Sequence, residues 1–117
     1  FGYIHAQTTI INPATDGGFE NGTTWAINNW TVVNGAQTNQ WWVGTAATGF
    51  VGTRCAYIGT ASANNTYNTG VTSVVHFYRD ITFPAGQPNV TLSFRWKGYG
   101  ESGFDYMRVY LVPTTTT

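Results

Sequence analysis

Asp16, Glu20, Glu101 and Asp105 are four of the five acidic side chains in this sequence, and each lies beside a glycine-rich turn. Asp16 opens Asp16-Gly17-Gly18, Glu20 precedes Asn21-Gly22, and Glu101 sits in Gly100-Glu101-Ser102-Gly103, four residues before Asp105. Carboxylates among turn carbonyls are the oxygen donors of a hard cation, and calcium takes roughly six to eight of them. The same carboxylates also suit ion pairs with Arg95, Lys97 or Arg108, so the residues alone leave both chemistries open. Asp105 has the parity of an apolar row in the last third of the chain, and a carboxylate at the rim of a core face needs a partner.

Other constellations carry less. Gly98-Tyr99-Gly100-Glu101-Ser102-Gly103 fits G-x-G-x-x-G. That fingerprint needs a following helix to hold a pyrophosphate, and here a strand pattern follows. Ser102 would need a base to act as a nucleophile. Past residue 6 the sole histidine is His76, in mid-strand, where a structural role is expected. One cysteine and one such histidine do not make a zinc site. No acidic pair recurs at i, i+2 on one strand face, which argues against a glycosidase-type pair of carboxylates. The residues therefore point away from catalysis.

The aromatics offer binding chemistry instead. Trp41 and Trp42 are adjacent in Gln40-Trp41-Trp42-Val43-Gly44, so in a strand they face opposite ways. An aromatic left open beside polar loops can stack on a sugar ring or a partner side chain. Trp41, Trp42 and Tyr99 are the candidate ligand-binding residues. Asn21, Asn29, Asn64 and Asn89 each begin an N-x-T sequon, a weak signal in a chain this rich in Asn and Thr.

Strands must position these groups. Residues 89–113 read NVTLSFRWKGYGESGFDYMRVYLVP. Val90, Leu92, Phe94 and Trp96 share one face, and Met107, Val109 and Leu111 form a second row after the glycine-rich loop. Period-two alternation predicts two half-buried strands. Further strands are expected at Phe19-Glu20, residues 30–33, 40–44, 55–58 and 74–83, the last being the longest. Asp16-Gly17-Gly18, Asn21-Gly22, Asn34-Gly35 and Pro84-Ala85-Gly86-Gln87-Pro88 are the breaks between them. About seven or eight short strands without a helix, at this turn spacing, predict an all-β sandwich.

Composition agrees. The length of 117 residues suits one domain with a modest core. Charged residues make up 9% and cancel, so no basic stripe exists for nucleic acid or anionic lipid. Aromatics reach 16%, and with abundant Thr, Asn and Gly they favour strands and turns over helices. The single cysteine, Cys55, permits no internal disulfide and is expected to be a small buried hydrophobe. A bound metal often takes the place of crosslinks in small folds. Residues 1–6 read as the tail of a secretory signal ending at His5-Ala6, residues 7–113 as the sandwich domain, and residues 114–117 as the start of a Thr-rich linker. No run reaches membrane-spanning length, so direct membrane insertion is not expected.

Five segments, GGFENG at 17–22, NQWWVGTA at 39–46, CAYIGTAS at 55–62, HFYRDITFPAG at 76–86 and the 89–113 stretch, occur in one order. Together, over residues 16–113, they resemble the choice-of-anchor J or cleaved-adhesin family, which is related to MAM-like domains. The resemblance implies a jelly-roll β-sandwich in secreted, multidomain bacterial proteins, many exported by the type IX system. It also implies a structural calcium ion held by Glu20 and Asp105, with Asp16 and Glu101 as further candidate ligands. Relatives often carry an acidic residue where this chain has Arg95, so carbonyls or water would complete the shell. The expected function is a non-enzymatic adhesion or binding module for glycans or cell-surface proteins, with neighbouring domains as further partners. The alternative expectation is a structural spacer or assembly domain with no ligand of its own.

Overall fold

The computed structural model describes residues 7–115. The expected signal remnant at residues 1–6 and the end of the expected linker lie outside them. The backbone divides between Phe83 and Pro84 into two units.

The first unit holds the regular structure. One turn of 3-10 helix, Ala26–Asn28, precedes four strands: β1 Thr31–Val33, β2 Gln40–Gly44, β3 Cys55–Gly59 and β4 His76–Tyr78. They form two antiparallel two-stranded sheets. β1 pairs with β4, with Val32 opposite Phe77, and β2 pairs with β3, with Trp42 opposite Tyr57. The described chain is thus all-β with almost no helix. It has fewer ladders than the seven or eight strands the alternation predicts.

Each shortfall has a local cause. Phe19 has φ 63°, a left-handed conformation no strand accepts, so the expected strand at Phe19-Glu20 is a turn. The long strand expected over 74–83 contracts to three residues. Before it, the Ser73 hydroxyl is engaged by the Asn39 N–H at 3.2 Å, and after it Arg79 turns to Asp16.

Two buried asparagines and one half-buried one take over where ladders stop. Asn28 is fully buried; its Oδ1 accepts the Asn21 N–H, and its Nδ2 donates to the carbonyls of Gly22 and Thr24 at 3.0 and 2.9 Å. Asn34, one residue past β1, accepts the Trp41 N–H at 2.9 Å and donates to the Trp41 carbonyl at 3.0 Å. Its side chain therefore acts as a strand partner for β2. Asn39 accepts the Asn68 N–H and donates to the carbonyls of Asn68 and Val71, clasping the loop ahead of β4. A side-chain amide has the donor and acceptor of a peptide unit, so it satisfies buried loop groups that would otherwise be orphaned.

The core is aromatic. Phe77, at the centre of β4, meets the rings of Phe19, Trp25, Trp30 and Trp41 at centroid distances of 6.1, 4.9, 5.4 and 5.0 Å. Among the described hydrophobic residues, only Val43 and Tyr57 are buried.

The second unit has no β-ladder among its described residues. The strands expected within 89–113 do not pair there. Their loop does form a turn: the N–H groups of Phe104 and Asp105 both donate to the Glu101 carbonyl at 3.1 Å.

Candidate functional site

Asp16 is held by its own turn and by a cation from the far end of β4. Oδ1 accepts the N–H groups of Asn12 and Gly17 at 3.3 and 3.0 Å and the Thr15 hydroxyl at 3.1 Å. Oδ2 accepts Arg79 Nη1 at 2.6 Å and, at the long distance of 3.5 Å, Asn29 Nδ2. Arg79 also lies 5.8 Å from the centroid of the Trp30 ring, and the Trp30 indole N–H donates to the Asp16 carbonyl at 3.0 Å. Burial pushes the Asp16 carboxyl up. The hydrogen bonds from Arg79, Thr15 and Asn29, with the Arg79 charge, outweigh it and hold the group at about 2.

Glu20 staples its turn to the loop ahead of β3. Oε1 accepts the N–H groups of Thr53 and Arg54 at 2.9 and 2.7 Å, and Oε2 accepts the Thr53 hydroxyl at 3.0 Å. Arg54 Nη1 lies 3.7 Å from Oε2. The Arg54 amide leads the effects that lower this carboxyl below its ordinary value. Gly52 has φ +84°, and a β-carbon there would collide with the Glu20 carboxylate, so both backbone and space call for glycine.

As placed, Asp16 and Glu20 do not fit a calcium site. Calcium needs lone pairs turned toward a common point, whereas these oxygens face amides, hydroxyls and guanidinium groups. Among the described residues, no three His, Cys, Asp or Glu side chains gather as a metal would require. Glu101 and Asp105 belong to the second unit, where the Glu101 N–H donates to Asp105 Oδ2 at 2.7 Å. The melting temperature should therefore be the same in millimolar calcium as in EDTA. A large rise with calcium, abolished by Asp105→Asn, would show that the carboxylates rearrange around the ion.

The candidate ligand-binding residues separate. Trp41 turns into the aromatic cluster, with its ring on Phe77 and its indole N–H donating to the Val75 carbonyl at 3.2 Å. It is committed to the core and is not a docking platform. Trp42 points to the other side of β2, as alternation requires. Its indole N–H donates to the Gly59 carbonyl at 3.0 Å, which fixes the ring. Tyr99 is exposed in the second unit.

Trp42 lines a shallow, open concavity of about 390 Å³ with Thr23, Val43, Gly44, Thr45 and Ser62. The concavity is braced from below. The Tyr57 hydroxyl, which lies close under Gly44, donates to the Ser62 carbonyl at 2.6 Å. The Thr60 N–H reaches the Thr66 carbonyl at 3.0 Å and closes the loop that carries Ser62. One tryptophan, two threonines and a serine are among the lining residues, and none of the lining residues is charged. That chemistry suits a neutral ligand with apolar faces and many hydroxyl groups.

No protein-family model, curated protein or solved structure matches the chain. The site must be read from its own geometry.

The sequence reading missed Arg54, Arg79, Thr23, Thr45 and Ser62. Arg79 left a signal, because it shares parity with Phe77 in His76-Phe77-Tyr78-Arg79, and an arginine on a core face needs a carboxylate. Arg54, at a loop end, and the three hydroxyl residues, in a chain full of Ser and Thr, left none. Cys55 is half-buried and its thiol donates to the Ala47 carbonyl at 3.3 Å. Burial, with the nearby Glu20 charge, pushes that thiol up, away from reactivity.

Proposed function

We propose that this chain is a non-enzymatic binding module of a secreted or cell-surface protein, and that it takes a neutral glycan at the Trp42 concavity. The observation that carries the reading is the set of residues lining that concavity: Trp42, whose indole N–H is held by the Gly59 carbonyl, with Thr23, Thr45 and Ser62 and no charged residue. Sugars present apolar C–H faces and hydroxyl edges, and such a surface complements both. The state of the carboxylates supports a module without catalysis. Asp16 and Glu20 are both held below their ordinary range, so neither keeps a proton near neutral pH for general-acid chemistry. The sequence resemblance supports the secreted setting and, as the proposed complete architecture, a jelly-roll sandwich.

Titration with neutral oligosaccharides, followed by tryptophan fluorescence, tests the reading. The expected result is a saturating change, with binding by calorimetry lost in Trp42→Ala, whose fold is checked by circular dichroism because losing the hydrogen-bonded ring also lowers the melting temperature. Shallow sites of this size bind weakly, so half-saturation is expected at roughly 0.1–1 mM, and losing the stacked ring should weaken it at least about tenfold. If no member of a broad glycan panel changes the signal, the chain is better described as a spacer domain without a ligand.

A further inference from the structure

Three dipeptides of the first unit have the chemistry to close a succinimide: Asp16-Gly17, Asn21-Gly22 and Asn34-Gly35. In such a pair the glycine nitrogen attacks the side-chain carbonyl carbon of the residue before it, and glycine has no β-carbon to obstruct the approach. Asparagine is a thermolabile residue through this chemistry. The attack needs two freedoms. The glycine N–H must be unengaged, and the side chain must be able to rotate onto it.

The fold removes one freedom or both from two of the three pairs. The Gly17 N–H donates to the Asn12 carbonyl at 2.8 Å and to Asp16 Oδ1 at 3.0 Å, and Arg79 holds the other Asp16 oxygen. Asn34 is gripped at both ends of its amide: Oδ1 accepts the Trp41 N–H at 2.9 Å and Nδ2 donates to the Trp41 carbonyl at 3.0 Å. Rotation toward Gly35 breaks both bonds. Asn21 keeps both freedoms. Its Nδ2 makes a single bond, to the Ile27 carbonyl at 3.3 Å, and among the described residues neither its Oδ1 nor the Gly22 N–H has a partner. Every contact in this comparison lies inside the first unit.

We propose that Asn21 is a site of spontaneous covalent modification, deamidating in the folded chain while Asn34 is protected. The Gly22 nitrogen bonds to Asn21 Cγ, the Cγ–Nδ2 bond breaks, and ammonia leaves with the amide proton. Water then opens the succinimide at either carbonyl and gives aspartate or isoaspartate at position 21. The exchange is water for ammonia, with no oxidant and no enzyme. Isoaspartate carries the main chain through the former side chain and lengthens it by one carbon between residues 21 and 22. The Asn28 clasp is anchored on both sides of that link, on the Asn21 N–H and the Gly22 carbonyl. The isoaspartate product therefore undoes the clasp and leaves a fully buried amide short of partners.

Incubation of the full chain at mildly alkaline pH, followed by peptide mass mapping, reads the site. The expected result is a gain of about 1 Da on the peptide holding Asn21-Gly22. It should appear at least about tenfold faster than on the peptide holding Asn34-Gly35, where two hydrogen bonds must open first. In strong denaturant the two rates should converge, because each asparagine precedes a glycine and the fold no longer separates them. Asn21→Gln, whose longer side chain closes the ring poorly, should stop the gain at that position. The isoaspartate fraction should melt below Asn21→Asp, which adds the charge without the extra carbon. Equal rates in the folded chain, a faster Asn34, no gain on Asn21, or the same preference in denaturant would each overturn the site. An isoaspartate fraction that melts with Asn21→Asp would overturn the loss of the clasp.

Discussion

Asp16→Ala should lower the melting temperature by roughly 15 °C or more, a larger effect than any other single carboxylate substitution in the first unit. The reason is the arginine it strands. Arg79 meets Asp16 at 2.6 Å, and both side chains are largely shielded from water. Removing one member of such a pair leaves an uncompensated charge and costs about 3–5 kcal/mol, whereas replacing both by apolar groups of similar size is often nearly neutral. For a domain of this size each kcal/mol moves the midpoint by about 4 °C. The double variant Asp16→Ala, Arg79→Met should therefore recover much of the loss. Asp16 also organises its own turn, through the N–H groups of Asn12 and Gly17 and the Thr15 hydroxyl, and that share should not return. The unrecovered part separates turn-building from charge pairing, and no recovery at all would reject the ion pair as the main cause.

Acid should act through the same residue. The Asp16 carboxyl sits at about 2 in the folded chain against an ordinary 3.8. As pH falls, the unfolded chain takes up its proton first, so the stabilisation is complete above about pH 5 and is lost as pH approaches 2. The displacement corresponds to on the order of 2 kcal/mol. Glu20 is displaced in the same direction and adds to the same slope. Urea midpoints between pH 6 and pH 2.5 should fall steeply for the parent and less steeply for Asp16→Ala. Parallel slopes would remove Asp16 from the account.

What the sequence made legible follows from range. Turns were readable because Asn, Gly and Pro act on their own backbone, and β2 and β3 were readable because Trp41 to Gly44 and Cys55 to Ile58 are apolar runs between such turns. The opposed directions of Trp41 and Trp42 came from the pleat alone. Partner choice was not readable. Glu20 meets Arg54 and Asp16 meets Arg79 across 34 and 63 residues of chain, and although parity marks Arg79 as facing the core, nothing local says which carboxylate it or Arg54 meets. The same holds for Asn28, Asn34 and Asn39. Asparagine is counted as a turn former, yet these three fasten segments distant in the chain, and only the fold decides which asparagines do so. Alternation predicted strands in residues 90–96 and 107–111, but it specifies a face and not the neighbour that completes a ladder.

The aromatic cluster turns that scattered information into a core, and Phe77→Ala should show it by costing about 3 kcal/mol, the low end of the range for a large aromatic in a packed interior because Phe77 is half-buried. Four rings would lose their common neighbour at once. Trp25 and Trp41 lie about as close to Phe77 as packed rings come, and Trp30 and Phe19 meet it edge-on. Each such contact is worth about 0.5–1.5 kcal/mol beyond the area it buries. A second loss follows from Phe19, whose left-handed backbone at φ 63° is unfavourable for an aromatic residue and persists only while its ring is held. Phe19 lies between Asp16 and Glu20, so releasing it loosens the turn that presents both carboxylates to their arginines. Phe77→Ala should thus erase the near-ultraviolet signal of the clustered, half-buried tryptophans and also flatten the acid dependence assigned to Asp16. Tyr78→Ala is the control: Tyr78 is the next residue on β4, on the opposite face and half exposed, and its loss should cost less than about 1 kcal/mol. If the two variants melt alike, the stability of this unit resides in its asparagine clasps and ion pairs, and the aromatic rings merely fill the space between them.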